Sequence, residues 1–150
     1  MILVANNGVE VKGIEDLFKD LDNIGEKGKK AQDKALKSGA KVFEGLMKAK
    51  APRSGRDSAH LVDALKASNI KLDDAGNKYI SIGTYLGGGK YRNGVYWGHI
   101  VEGGHFIISP SGKNIGYVSA KPFMEPAYQQ GKERAKDEIA KIIFDAMGLK

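Results

Sequence analysis

The sequence predicts an α+β domain in which a small antiparallel sheet packs against a long helix of the N-terminal half and a closing C-terminal helix. Three observations predict it. Ala31, Ala35, Gly39, Val42, Phe43 and Leu46 recur at three- and four-residue steps, which places them on one face of a helix. A second stripe of the same period, formed by Ala127, Gly131, Ala135, Ile139, Ile142, Ile143 and Ala146, closes the chain. Between the two, short segments alternate apolar and polar residues around glycine-rich turns, the period of half-buried strands.

The chain has 150 residues, the length of one domain. At this size folding buries roughly 68–70% of the surface the unfolded chain exposes, enough for a single packed core. Residues 1–150 are therefore read as one domain, with residues 1–8 as an extended arm. Its 41% hydrophobic and 28% charged residues fit a globular chain better than a disordered one. The lack of cysteine excludes disulfides and thiolate metal sites and suits a reducing cytoplasm. The apolar run Met1–Ala5 is too short for a signal-peptide core, and no stretch approaches the ~18 apolar residues of a membrane span. The expectation is a protein neither exported by that route nor embedded in a membrane.

Taken in order, Ile14, Leu17, Phe18 and Leu21 predict a first short helix, and Gly25 and Gly28 a break or kink after it. The long helix then runs from about Lys29 to Lys50. Pro52 stops it by pushing Ala51 out of helical geometry, and Pro52-Arg53-Ser54-Gly55 is a turn signal. Ser58–Ser68 carries Leu61, Val62 and Leu65 at helical spacing, with Asp57 or Ser58 as N-cap. Ile70–Leu72 and Tyr79–Ile82 flank Asp73-Asp74-Ala75-Gly76-Asn77 as two strands and a turn. Residues 83–94, with Gly87-Gly88-Gly89, read as a flexible loop. Val95–Glu102 fits a strand or one helical turn. Phe106–Ile108 and Tyr117–Val118 frame a turn at Ser109-Pro110-Ser111-Gly112. The closing helix spans Pro122 to Met147, because prolines are tolerated in a first turn whose donors lack partners anyway.

The net charge of +6 is concentrated between Lys27 and Lys50, where eight lysines stand against Asp33 and Glu44 alone. Lys27, Lys29, Lys30, Lys34, Lys37 and Lys41 are thus the candidates for facing DNA through counterion release, although such helix faces are more often simply solvated. Chemistry is poorly represented. The segment Gly83–Tyr91 lacks the first glycine and the final hydroxyl of a phosphate-binding loop. His99, Glu102 and His105 recur every three residues, yet Gly103-Gly104 interrupts the helix that would gather them around zinc. No Gly-x-Ser-x-Gly elbow is present. Neither catalytic, cofactor nor metal residues are assigned. Trp97 with Tyr96, Tyr91 and Tyr85 suits an interface better than a nucleic-acid stacking platform.

In series, several segments resemble the tail-completion family of long-tailed phages. They are Lys34–Lys50 ending in Ala51-Pro52-Arg53-Ser54-Gly55, then Tyr79–Gly83, then Tyr96-Trp97-Gly98-His99-Ile100-Val101-Glu102-Gly103-Gly104-His105, and last Ala120-Lys121-Pro122-Phe123-Met124-Glu125-Pro126-Ala127. Two departures stand out: Asp57–Ser68 looks helical where the family continues into a strand, and Glu102-Gly103-Gly104-His105 replaces Glu-Phe-Gly-Thr. The resemblance implies a non-enzymatic virion subunit, made in the host cytoplasm. It would form a homo-oligomeric ring, a hexamer, at the neck, capping the tail tube and joining it to the head connector. It implies an interface among Tyr91, Arg92, Tyr96, Trp97, Glu102, Gly103, Gly104, His105, Lys121 and Phe123. A head-side connector or stopper and a small basic DNA-binding protein are the alternatives.

Overall fold

The computed structural model describes residues 3–5, 8–10, 25–53, 61–84 and 98–148. The expected helix around Ile14–Leu21, the N-cap at Asp57 or Ser58 and most of the glycine-rich loop lie outside them. The architecture is α+β. Strands β1 (Leu3–Ala5) and β2 (Gly8–Glu10) are followed by helix α1 (Glu26–Lys50), the short helix α2 (Leu61–Ala64) and strands β3 (Lys66–Ala67), β4 (Lys71–Leu72), β5 (Lys78–Tyr79) and β6 (Ser81–Gly83). Helix α3 (Gly98–Gly103), strands β7 (His105–Ile108) and β8 (Asn114–Val118), and helix α4 (Met124–Met147) complete the chain. A four-stranded antiparallel sheet has the order β1-β2-β6-β3, and β4-β5 and β7-β8 are separate hairpins.

Helix α1 starts earlier than its apolar pattern suggested. Gly25 takes a positive φ of 78° at the helix entrance, while Gly28, expected in a break, lies buried within the first turn. The absence of a side chain at Gly28 hides it from a hydrophobic pattern without preventing helix formation. The far end agrees with expectation: Ala51 is extended, as a residue before proline should be, and its N–H still closes on the Met47 carbonyl at 2.8 Å. The predicted helix over Ser58–Ser68 is corrected by the structure. Helix geometry ends at Ala64, and Lys66 and Ala67 become the edge strand opposite Gly83 and Ile82. Leu61 and Leu65 are both buried, so the four-residue spacing marked core positions across a helix-to-strand junction.

The core is the seam between α1 and α4, floored by the sheet. Phe43, Met47, Leu65, Ile80, Ile82, Phe123, Ile139 and Ile143 are its largest fully buried side chains, each contributing about 1.5–3 kcal/mol through burial. The helices run antiparallel and approach closely because glycine stands at the crossing points. A Cβ on Gly39 would lie 2.7 Å from Ile139 Cδ1, and one on Gly131 would lie 2.7 Å from Leu46 Cδ1 and 3.2 Å from the Phe43 ring. Tyr128 stacks on Phe43 at 5.9 Å between ring centroids. Polar contacts tie α1 to the strands: Glu44 accepts from the Ala67 amide and pairs with Lys48, and Asp33 pairs with Lys78 of β5 at 2.7 Å.

Candidate functional site

Two surfaces stand out, one at the root of α4 and one along α1. The root begins at α3, which resolves the ambiguity of its segment in favour of a helix. From this helix Glu102 reaches the start of α4. Its Oε2 accepts the Phe123 and Met124 amides at 2.7 and 2.9 Å, and its Oε1 accepts the Glu125 amide at 3.1 Å. Phe123 occupies the N-cap position and has no capping side chain of its own, so the carboxylate supplies the cap from 21 residues upstream. The Lys121 amide also bonds to the Val101 carbonyl at 2.8 Å. Pro122 precedes the helix and Pro126 sits in its first turn, as proline chemistry requires.

Gly104 turns the chain from α3 into β7 with φ of 73°, and a Cβ there would lie 2.4 Å from the Tyr117 hydroxyl and 2.8 Å from the Ala120 nitrogen. The Tyr117 hydroxyl donates to the Gly103 carbonyl at 3.3 Å, fixing the base of the β7-β8 hairpin. Its turn is closed by Ser109, whose carbonyl and hydroxyl receive the Gly112 and Lys113 amides. Every residue of β7 and most of β8 are exposed, including Phe106, Ile107, Ile108, Ile115, Tyr117 and Val118. Phe106 and Tyr117 lean together at 5.1 Å. An exposed apolar cluster of this density marks a contact surface.

The sequence-selected residues distribute unevenly over this geometry. Gly103, His105 and Lys121 are exposed around the hairpin root, and Gly104 is half-buried. Phe123, expected at an interface, is fully buried in the chain's own core, and Glu102 is engaged by α4. Tyr91, Arg92, Tyr96 and Trp97 lie outside the described residues. His99 is exposed on α3, and among the described residues no cluster of three or more His, Asp or Glu side chains could hold a metal ion. The exposed apolar face of the hairpin was missed: the apolar run signalled a strand, but not that none of the described residues covers it.

Along α1, Lys27, Lys29, Lys30, Lys34, Lys37 and Lys41 are all exposed. All but Lys29 recur at three- and four-residue steps and so share one face, about 21 Å long. Lys30, Lys34, Lys37 and Lys41 line an open groove with Asp33, Ser38 and Ile142 of α4. Lys30 pairs with Glu26 at 2.9 Å on the open surface. No described helix is long and apolar enough to cross a membrane.

The fold and these surfaces define a class: a small α+β protein whose largest cluster of exposed apolar side chains, among the described residues, sits on a hairpin outside its core. Residues 15–104 match the family described as Bacteriophage HK97-gp10, putative tail-component, and the chain belongs to that family of phage tail proteins. No curated protein and no solved structure matches the chain.

Proposed function

We propose that the chain is a structural subunit of the phage neck, assembling as a ring of six that caps the tail tube and joins it to the head connector. The observation that carries this reading is the exposed β7-β8 hairpin in a tail-component chain. An isolated two-stranded hairpin is marginal in water, and solitary subunits rarely expose so much apolar surface. Contact with other virion subunits removes both costs. The work done is mechanical fit: Glu102 is committed to holding α4, and the exposed His105, Gly103 and Lys121 are left to frame the contact. Native mass spectrometry and negative-stain microscopy of the purified protein, alone and mixed with tails, test the proposal. Discrete rings at tube ends are expected, and monomers under both conditions would overturn it.

The lysine face of α1 supports a second reading, passing contact with DNA in the neck. Its single-sided, exposed arrangement suits a phosphate backbone, which needs charge without base contacts.

A further inference from the structure

Resting on the ring reading, we infer that the β7-β8 hairpin of one subunit docks on the C-terminal end of α4 of a second copy, head to tail. The hairpin register puts Phe106 and Tyr117 opposite each other, alternation along β7 adds Ile108, which pairs with Asn114, and Ile115 is the extra residue where the register shifts. The exposures of these four apolar residues are 62, 53, 57 and 63%. Together they present on the order of 400 Å² of apolar surface, about half of what each side of a standard interface buries.

The same chain carries a fitting acceptor at its far end. Outside the hairpin, the exposed large hydrophobics among the described residues are Leu72 and Phe144. Phe144 stands exposed one turn after half-buried Ala140, beside the stripe of Ala135, Ile139, Ile143 and Met147 that packs on the core. The last turn of α4 holds no basic residue and carries Asp145, adding to the negative end of the helix dipole. From Gly103 to Met124 the hairpin region has no acidic residue, and Lys113 sits at its turn. The negative end of the last turn suits Lys113, with Lys141 standing one turn back from it, and the apolar character of donor and acceptor matches.

Geometry decides between self-contact and partner contact. The hairpin is rooted at the start of α4 by the Glu102 cap and the Lys121–Val101 bond. Phe144 lies 20 residues further along a continuous helix, about 30 Å away. The 14 residues from His105 to Val118 fold back on themselves as a hairpin, reaching well short of that distance. The donor of one copy must use the acceptor of another. Two different patches on one chain make a heterologous contact, which closes as a ring where the rotation between copies permits and otherwise grows as a filament.

The chain has no native cysteine, so paired substitutions report the contact cleanly. Ile115→Cys protein and Phe144→Cys protein are mixed in equal amounts under mild oxidation, each also being oxidised alone. The mixture is expected to give a disulfide-linked dimer, and each variant alone is not. In parallel, native mass spectrometry follows a Phe106→Ser/Ile108→Ser double variant, which keeps the Tyr117 bond at the hairpin root, with circular dichroism confirming its fold; rings are expected to fall to monomers. Linkage of Ile115→Cys protein to itself would overturn the inference in favour of hairpin-to-hairpin contact. So would rings that survive the double substitution without any cross-link in the mixture, and in both cases the ring reading stands. If the double variant loses binding to isolated tails while wild-type protein is monomeric in solution and singly bound on tails, the occupant is a tail protein. That result removes both the inference and the ring.

Discussion

Glu102 Oε2 accepts the Phe123 amide at 2.7 Å, and this contact completes the accounting of donors at the start of α4. The Met124 and Glu125 amides go to the same carboxylate, Pro126 has none, and the Ala127 amide returns to the Phe123 carbonyl at 3.3 Å. A helix start normally leaves four donors without helical partners. Here one side chain from another element covers the deficit, which physically couples the segment around Glu102 to the Pro122–Ala127 segment.

Replacing Glu102 with alanine should therefore cost about 2–3 kcal/mol, more than loss of an ordinary N-cap, because three amides lose a charged acceptor together. Denaturant unfolding of the purified variant measures it. Glu102→Gln keeps an acceptor oxygen and should lose roughly half as much. Equal stability of wild type and Glu102→Ala would show that the cap carries no weight.

Gly104→Ala should destabilise by more than about 2 kcal/mol, since the left-handed backbone alone costs an L-residue roughly 1–2 kcal/mol and the added carbon meets fixed backbone atoms. Thermal unfolding and the near-ultraviolet signal of Tyr117 report on the hairpin root.

Gly45 offers the opposite case. It is an exposed mid-helix glycine of α1 with nothing within 4 Å of an added Cβ. Gly45→Ala should stabilise by about 0.5–1 kcal/mol through helix propensity. Gly131→Val should instead destabilise by about 1–3 kcal/mol, because the buried Phe43 ring leaves no room at the crossing. Paired denaturation curves distinguish a crossing that needs glycine from one that tolerates any residue.

The DNA reading predicts a specific salt dependence. Replacing Lys34, Lys37 and Lys41 with alanine should leave stability within about 0.5 kcal/mol and lower the slope of log affinity against log salt by roughly 3. Titration of labelled duplex by fluorescence anisotropy at several salt concentrations measures both affinity and slope. Unchanged slopes would assign the lysines to solvation.

Much of this fold was legible because its helices are periodic. Ala31, Ala35, Phe43 and the Ala127–Ile143 stripe marked both partners of the central seam, and Pro52 marked the end of α1. What escaped depends on partners distant in the chain. Lys66 and Ala67 are strand only because Gly83 and Ile82 lie beside them, a pairing that overrides the helical spacing of Leu61 and Leu65. Glu102 was read as an interface residue, since nothing local announces acceptance of amides 21 to 23 residues ahead. Phe123 was read as an interface residue, but it is fully buried in the chain's own core. For the hairpin, composition specifies the strands but not whether another surface covers them.

The seam between α1 and α4 also governs when the chain can fold during synthesis. Gly39 meets Ile139 only after a further 100 residues have been made. At bacterial translation rates of about 5–20 residues per second, α1 waits roughly 5–20 s before its partner emerges. During that interval Phe43 and Met47 lack α4. A ribosome stalled within α4 would release a chain with the apolar stripe of α1 uncovered, a ready substrate for chaperones and proteases.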